Sequence, residues 1–466
     1  MHCGYITTLK DVRPHPNADR LELATCFINT VCVAKDKYKS GDLGVYFPVD
    51  LQLSMEFCEQ NGLLAVYENG VNVSGGYMDP AKRNVKAIKL RGEKSDGLFL
   101  PLESLAYTGI DISTLKMGDQ ITVLNGKEIC TKYIPKTKTP NPKSAPSKKV
   151  VKAKYQTTPT FFEHKDTEQL AYNLDAFKPG DEIEITLKMH GTSQRTGYHK
   201  VHCGYKRSLL DKILRRPGTP IYDWGQANGT RRTVLKDFEG GFYGSNEFRE
   251  PHAKMFEGKL WKGETVYYEV VGFTHTGAPI MATCSNKKLN DKEFIKQYGE
   301  ETVFSYGCDP TGGSEPEYHD ENCGAPYVVK GPQSDIYVYR MTMTNEDGDT
   351  VEYTPDFMRY RCELMGVKSV PVLWSGRIPQ NPGSKDDPTI SAGEWIKNVA
   401  ERYYDGPDPI GKTHVREGVV VRILNRPTFA AYKHKNFDFK RLSGIIVEDL
   451  ANSEAIDADE DLLSEL

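Results

Sequence analysis

The stretch DEIEITLKMHGTSQRTG, residues 181–197, opens in clean alternation and ends in a turn. Ile183, Ile185, Leu187 and Met189 share one face of an extended segment, and Glu182, Glu184, Thr186 and Lys188 share the other. Lys188 therefore leaves the strand on its polar face, just before Gly191, while the apolar face anchors to a core. Glycine lets a backbone approach a ligand closely, and Thr192 and Ser193 add hydroxyls. A surface lysine needs no such company, whereas a lysine that must shed its proton and attack does. Free lysine titrates near about 10.4, and lowering it to about 7–8 takes roughly 4 kcal/mol from burial, a neighbouring cation or a metal. Taken alone, K-x-H-G equally marks an ordinary strand-end lysine before a turn.

Three later stretches weigh on that choice. In YYEVVGF, residues 267–273, Glu269 shares a face with Tyr267 and Val271, and such a carboxylate needs a donor or a pocket edge. A ribose hydroxyl pair would serve, and so would water beside an edge strand. In HVREGVVVRI, residues 414–423, Glu417 alternates in phase with Val415, Val419 and Val421. A carboxylate in that line must be paired or bound to a cation; magnesium with a phosphate alongside suits it, as does a buried Glu–Arg pair. In AAYKHKNFDFKRL, residues 430–442, Lys433 and Lys435 share a face, with Lys440 and Arg441 behind them. Two same-side cations can clamp a triphosphate, or form a solvated basic surface.

Around this region the chain divides. Its 466 residues suffice for more than one core, and the net charge of −4 does not by itself favour a nucleic-acid partner, though a sum hides local patches. Ten scattered cysteines suggest free thiols. No apolar run is long enough to cross a bilayer and the start lacks a hydrophobic leader, so the expectation is a cytoplasmic protein with no membrane partner. Residues 1–130 read as a small β-rich unit, in which VKAIKLRGEKSDGLFLP forms two strands around a glycine turn. Residues 131–154 hold four prolines and many lysines and read as a basic linker. Residues 155–466 alternate strands with a few helices. TPDFMRYRCELMG is capped by Thr354 and stopped by Gly366; SAGEWIKNVAERYY carries Trp395, Ile396, Val399 and Tyr403 on one stripe. Residues 305–326 read as a polar insertion, whose Cys308, His319 and Cys323 lack the spacing of a zinc site. The acidic segment SEAIDADEDLLSEL closes the sequence as a short helix or tail.

In this order, KMHG, YEVVG, EGVVV and YKHK resemble the motifs of covalent nucleotidyltransferases, and nearest among them ATP-dependent RNA ligases of the Deinococcus type. At the front, DVRPHPNADRLELA and AIKLRGEKSDGLFLP resemble that group's OB module. The resemblance implies an α+β architecture: an amino-terminal β-barrel OB domain, then a nucleotidyltransferase domain of antiparallel sheets and flanking helices. It implies Lys188 as the adenylylated nucleophile, Glu269 on the ribose, Glu417 at a metal, and Lys433 and Lys435 on the nucleotide phosphates. Tyr339, in SDIYVYRMTM, would stack on the base, with Tyr337 in reserve, and Arg195 would reach a terminal phosphate. ATP and Mg2+ or Mn2+ are the implied cofactors. RNA bearing 5′-phosphate and 3′-hydroxyl ends, possibly a nicked duplex, is the implied partner, with no obligate protein partner. His15, Arg20, Arg91 and Lys94 are candidate RNA contacts by charge and loop placement. His190 departs from the aspartate common in DNA ligases, and Tyr339–Arg340 from a phenylalanine–aspartate pair. The alternatives are a capping-type guanylyltransferase, a DNA ligase, and an OB-containing RNA-binding protein without catalysis.

Overall fold

The computed structural model describes residues 2–69, 71–134, 158–216, 218–239, 246–312, 316–317, 328–329, 331–383, 389–426 and 428–452. Most of the basic linker and the acidic end lie outside these. Two compact units emerge: Met1–Thr139 with Phe437–Ala455, and Pro140–Asn436 with Ile456–Leu466.

The first unit is built on a four-stranded antiparallel sheet in the order Leu98–Pro101, Leu43–Phe47, Gly4–Thr8, Gln120–Ile121, beside a meander of Lys10–Pro14, Leu21–Cys26 and Asn29–Ala34. Among the described residues the pairing runs in separate sheets rather than through one continuously closed ladder. Ile6, Val45, Phe47, Leu53, Phe57 and Ile121 fill the core. The stretch expected as two strands makes three. Ala87–Leu90 and Glu93–Asp96 pair across Arg91–Gly92, both at positive φ as a two-residue hairpin requires, and Leu98–Pro101 leaves for the larger sheet. The separation falls at Gly97, where φ is +106° and a Cβ would lie 2.5 Å from the Tyr46 ring.

The helix Phe437–Asn452 belongs with this first unit, whereas the sequence reading ran the second domain through it to residue 466. Lys440 pairs with Asp96 at 2.6 Å, and the Lys94 ammonium sits 5.3 Å over the Phe437 ring. A helix's apolar stripe shows that it needs a core, not which one.

The second unit holds a five-stranded sheet ordered Glu168–Gln169, Ala430–Lys435, Gly418–Ile423, Glu182–Lys188, Val372–Arg377. Its six-stranded sheet runs Val234–Leu235, Thr219–Gly229, Thr192–Lys206, Glu264–Gly272, Ser334–Thr344, Thr350–Glu352. Ile183, Ile185, Val419 and Val421 pack under Ile396 and Val399 of the helix Ala392–Ala400. Both helices expected here form: Ser391 and Thr354 cap their starts, and Gly366 ends Pro355–Met365 in the left-handed region. The nine described cysteines are free, and among the described residues no helix is long and apolar enough to cross a membrane. Because Ile396 is fully buried between helix and sheet, Ile396→Ala should cost about 2–5 kcal/mol in denaturant unfolding; a cost within about 0.5 kcal/mol, as for a surface position, would mean the helix does not cover this sheet.

Candidate active site

A cavity in the second unit is lined by residues of both sheets. The Glu182–Lys188 strand ends at its floor, and the chain crosses through Met189–Gly191 into the other sheet. A Cβ on Gly191 would lie 2.4 Å from the Val270 carbonyl oxygen, so only glycine permits this crossing. The His190 backbone N–H donates to the Tyr306 phenol at 2.6 Å. Tyr306, within the stretch read as a polar insertion, is instead buried behind the crossing. His319 and Cys323 lie outside the described residues.

Lys188 meets Glu417 at the cavity floor, Nζ to Oε1 2.8 Å. Lys435 Nζ stands 3.7 Å from the same oxygen, and His190 Nδ1 3.8 Å from Oε2. Glu417 is 1% exposed. Burial pushes its carboxyl up, but Lys188 and Lys435 outweigh that and hold it below the usual carboxylate range. Burial pushes the His190 imidazole down to about 3, so it contacts the carboxylate as a neutral ring.

Glu417 does not follow the expected alternation. Val419 and Val421 face the core, whereas Glu417 opens on the cavity with Val420 and Arg422. The phase breaks at Gly418, whose φ of +143° is closed to side chains: a Cβ there would lie 2.1 Å from the His434 carbonyl oxygen. The glycine turns the carboxylate away from the valines that would have made it costly.

Lys433 and Lys435 both line the cavity, and His434 between them points away and is buried. Burial, followed by the like charges of Lys435 and Lys188, pushes Lys433 down to about 7. Glu269 and Ser193 face each other across paired strands at the cavity edge. Tyr339 joins them because Tyr267 pairs with Arg340 and Tyr268 with Val338, leaving Tyr339 as the extra residue of a bulge. Its phenol lies 3.0 Å from the Ser193 hydroxyl, and its ring stands edge-on to His164 at 5.3 Å. Tyr337 is buried outside the cavity lining. Arg340, after the bulge, grips Glu352 and stacks over Tyr267 and Phe429.

Arg195 does not reach the cavity. Its guanidinium is buried over Phe161 and donates to the carbonyls of Thr230 and, at 2.7 Å, Arg231. Two residues further along the strand than Ser193, it holds the turn that presents Arg231, and Arg231 is the arginine that lines the cavity. Sequence reasoning missed Arg231, as it missed Arg359, whose guanidinium donates to Glu184 at 2.7 Å, and Arg422. Arg422 was legible in principle, lying two residues beyond Val420 on the cavity face.

The candidate RNA contacts belong to the first unit. His15 is buried, with Nε2 3.0 Å from the Leu90 carbonyl and Nδ1 accepting from the Asn17 backbone, so it ties a loop to the hairpin instead of facing solvent. Lys94 is half-buried over Phe437, whereas Arg20 and Arg91 are exposed.

Among the described residues no three His, Cys, Asp or Glu side chains converge as a metal cage. Both Glu417 oxygens are nevertheless buried and lack well-directed hydrogen bonds. That suits a divalent ion taking one carboxylate from the protein and its other ligands from phosphate and water.

A family model described as an OB-fold domain matches residues 4–102. No curated protein matches the chain. Solved structures of Naegleria gruberi RNA ligase do: the form with PPi aligns at 16% identity and TM-score 0.52, over 94% of this chain and 98% of that one. A mutant with AMP and Mn aligns at 16% and 0.54 with the same coverage, and another with ATP and Mn at 17% and 0.53, covering 94% and 97%. At such identity the likeness is one of fold. The chain thus has an amino-terminal OB fold followed by a mixed α+β domain of RNA ligase architecture.

The depressed Lys433 amine gives a pH signature. Below about pH 7 it is charged before a polyphosphate arrives; above that, binding must take up a proton. Affinity for a non-hydrolysable ATP analogue should therefore fall several-fold from pH 7.5 to 9, at most about tenfold per unit. Lys433→Arg, charged throughout, should flatten the curve; equal slopes in titration calorimetry of both proteins would contradict the assignment.

Proposed function

We propose that the chain is an ATP-dependent RNA ligase acting through a lysine–AMP intermediate, with the domain order likened above to the Deinococcus type. One observation carries the reading: a single cavity gathers Lys188, Glu417, Lys433 and Lys435, with Glu269 and Tyr339 on the facing sheet. A binding protein without catalysis has no use for a buried carboxylate matched to two amines, Lys188 and Lys435.

Lys188 Nζ, once deprotonated and released from Glu417, attacks the α-phosphorus of ATP. An N–P bond forms, the P–O bond to pyrophosphate breaks, and the charge gathering on the leaving group faces Lys433, Lys435 and Arg231. A 5′-phosphate oxygen of RNA then attacks the AMP phosphorus and returns the lysine. Finally a 3′-hydroxyl attacks the activated 5′-phosphorus and expels AMP. Glu269 would hold the ribose hydroxyls and the Tyr339 ring would flank the base. A Mg2+ or Mn2+ ion held by Glu417 and the phosphates would supply electrostatic stabilisation to the phosphoryl oxygens.

With α-labelled ATP and Mg2+ or Mn2+, the protein should become labelled and Lys188→Ala should not. Glu417→Ala should retain nucleotide binding and lose label by about 10²–10³-fold. Equal labelling of the wild type and Lys188→Ala would remove the nucleophile, and preferential label from GTP would move the chain to the guanylyltransferases. Arg20 and Arg91, exposed on the OB unit, are proposed RNA contacts. Arg20→Ala with Arg91→Ala should weaken RNA binding, reduce its salt dependence and leave self-labelling intact; RNA affinity unchanged in gel-shift titration would place the strand elsewhere.

A further inference from the structure

Beyond Gly197 the ladder of the Thr192–Lys206 strand runs, among the described residues, with Thr219–Gly229, and the two continue as a two-stranded ribbon. A short helix, Leu209–Ile213, closes the ribbon, capped by Ser208 with Asp211. Its aliphatic side chains point outward: Leu209 is 79% exposed, Leu210 68%, Ile213 74% and Leu214 54%. Single exposed leucines are ordinary, but four adjoining ones at a ribbon tip form an apolar patch of the kind that marks an interaction surface. Lys206, Arg207, Lys212, Arg215 and Arg216, all exposed, lie within or beside it in the chain. Asp211, the only carboxylate from 206 to 216, is taken up by the Ser208 cap.

This tip calls for an occupant that is aliphatic and acidic together. The basic rim disfavours a second copy of the same tip, and an RNA strand offers nothing to four aliphatic side chains. The chain itself carries a matching segment. Residues 453–466, outside the described residues, read SEAIDADEDLLSEL, with six carboxylates, no lysine or arginine, and the aliphatics Ile456, Leu462, Leu463 and Leu466. The charges oppose, the apolar groups correspond, and nothing in the proposed chemistry uses either element. We infer that the tip at Leu209–Leu214 is the docking site of this acidic segment.

The test uses the full chain with a benzophenone amino acid at position 210, irradiated and mapped by mass spectrometry. Cross-links should concentrate on residues 453–466 and fall at least fivefold as NaCl rises from 50 to 500 mM, conditions chosen to span the screening range. Arg215→Glu with Arg216→Glu should reduce them at least fivefold, and adding Glu460→Lys with Asp461→Lys should restore them. Self-labelling with ATP, which does not involve these residues, monitors folding of each variant. Cross-links joining two tips, reaching only another protein, spread over other surfaces, or indifferent to the charge reversals would each overturn the inference.

Discussion

The second unit depends on an ion pair set at the crossing between its two sheets. Lys188 is the last residue of one strand and Glu417 immediately precedes its side-by-side neighbour, and they meet where the chain turns at Gly191 and at Gly418. A carboxylate this deeply buried is tolerable only against a cation, so the Lys188–Glu417–Lys435 cluster fixes which ends of the strands face the cavity. The two glycines are part of the same constraint. One lets the lysine strand pass under Val270, and the other rotates the carboxylate out of the valine row. Replacing either with a side chain would separate the charges that the fold brings together.

Nearby, the site divides its amines by environment. Lys188 contacts a carboxylate at 2.8 Å, while Lys433, two strands away, is pushed down to about 7 by burial and by its cationic neighbours. An amine matched to a resident carboxylate is held ready in position; an amine that gains its proton only when negative charge arrives responds to the ligand. Arg231 belongs with the second kind, presented by a turn whose carbonyls the buried Arg195 holds. That a chain of net charge −4 concentrates so many cations in one cavity points to a polyanionic ligand.

Much of this was legible where one rule governs. Strands with one buried face announce it by alternation, so Ile183, Ile185 and Leu187 could be set inside and Lys188 on the cavity side from residue order alone. Helices with capping residues at both ends, as at Thr354 and Gly366, were equally plain. The failures share a cause: each depended on a break in local regularity or on a distant partner. The positive φ at Gly418 shifted Glu417 out of phase with the valines that follow it. Arg359 and Glu184 meet across 175 residues, and Arg195 spends its charge on carbonyls of another turn. Neither the return of Phe437–Asn452 to the first unit nor the burial of His15 leaves a trace in local pattern.

Because three amines share the cavity, the position of a covalent nucleotide distinguishes this account from its neighbours most directly. The protein incubated with ATP and a divalent cation, digested and mapped by mass spectrometry, should carry AMP on the peptide holding Lys188 and on no other. AMP on Lys433 or Lys435, or no adduct at all, would contradict it.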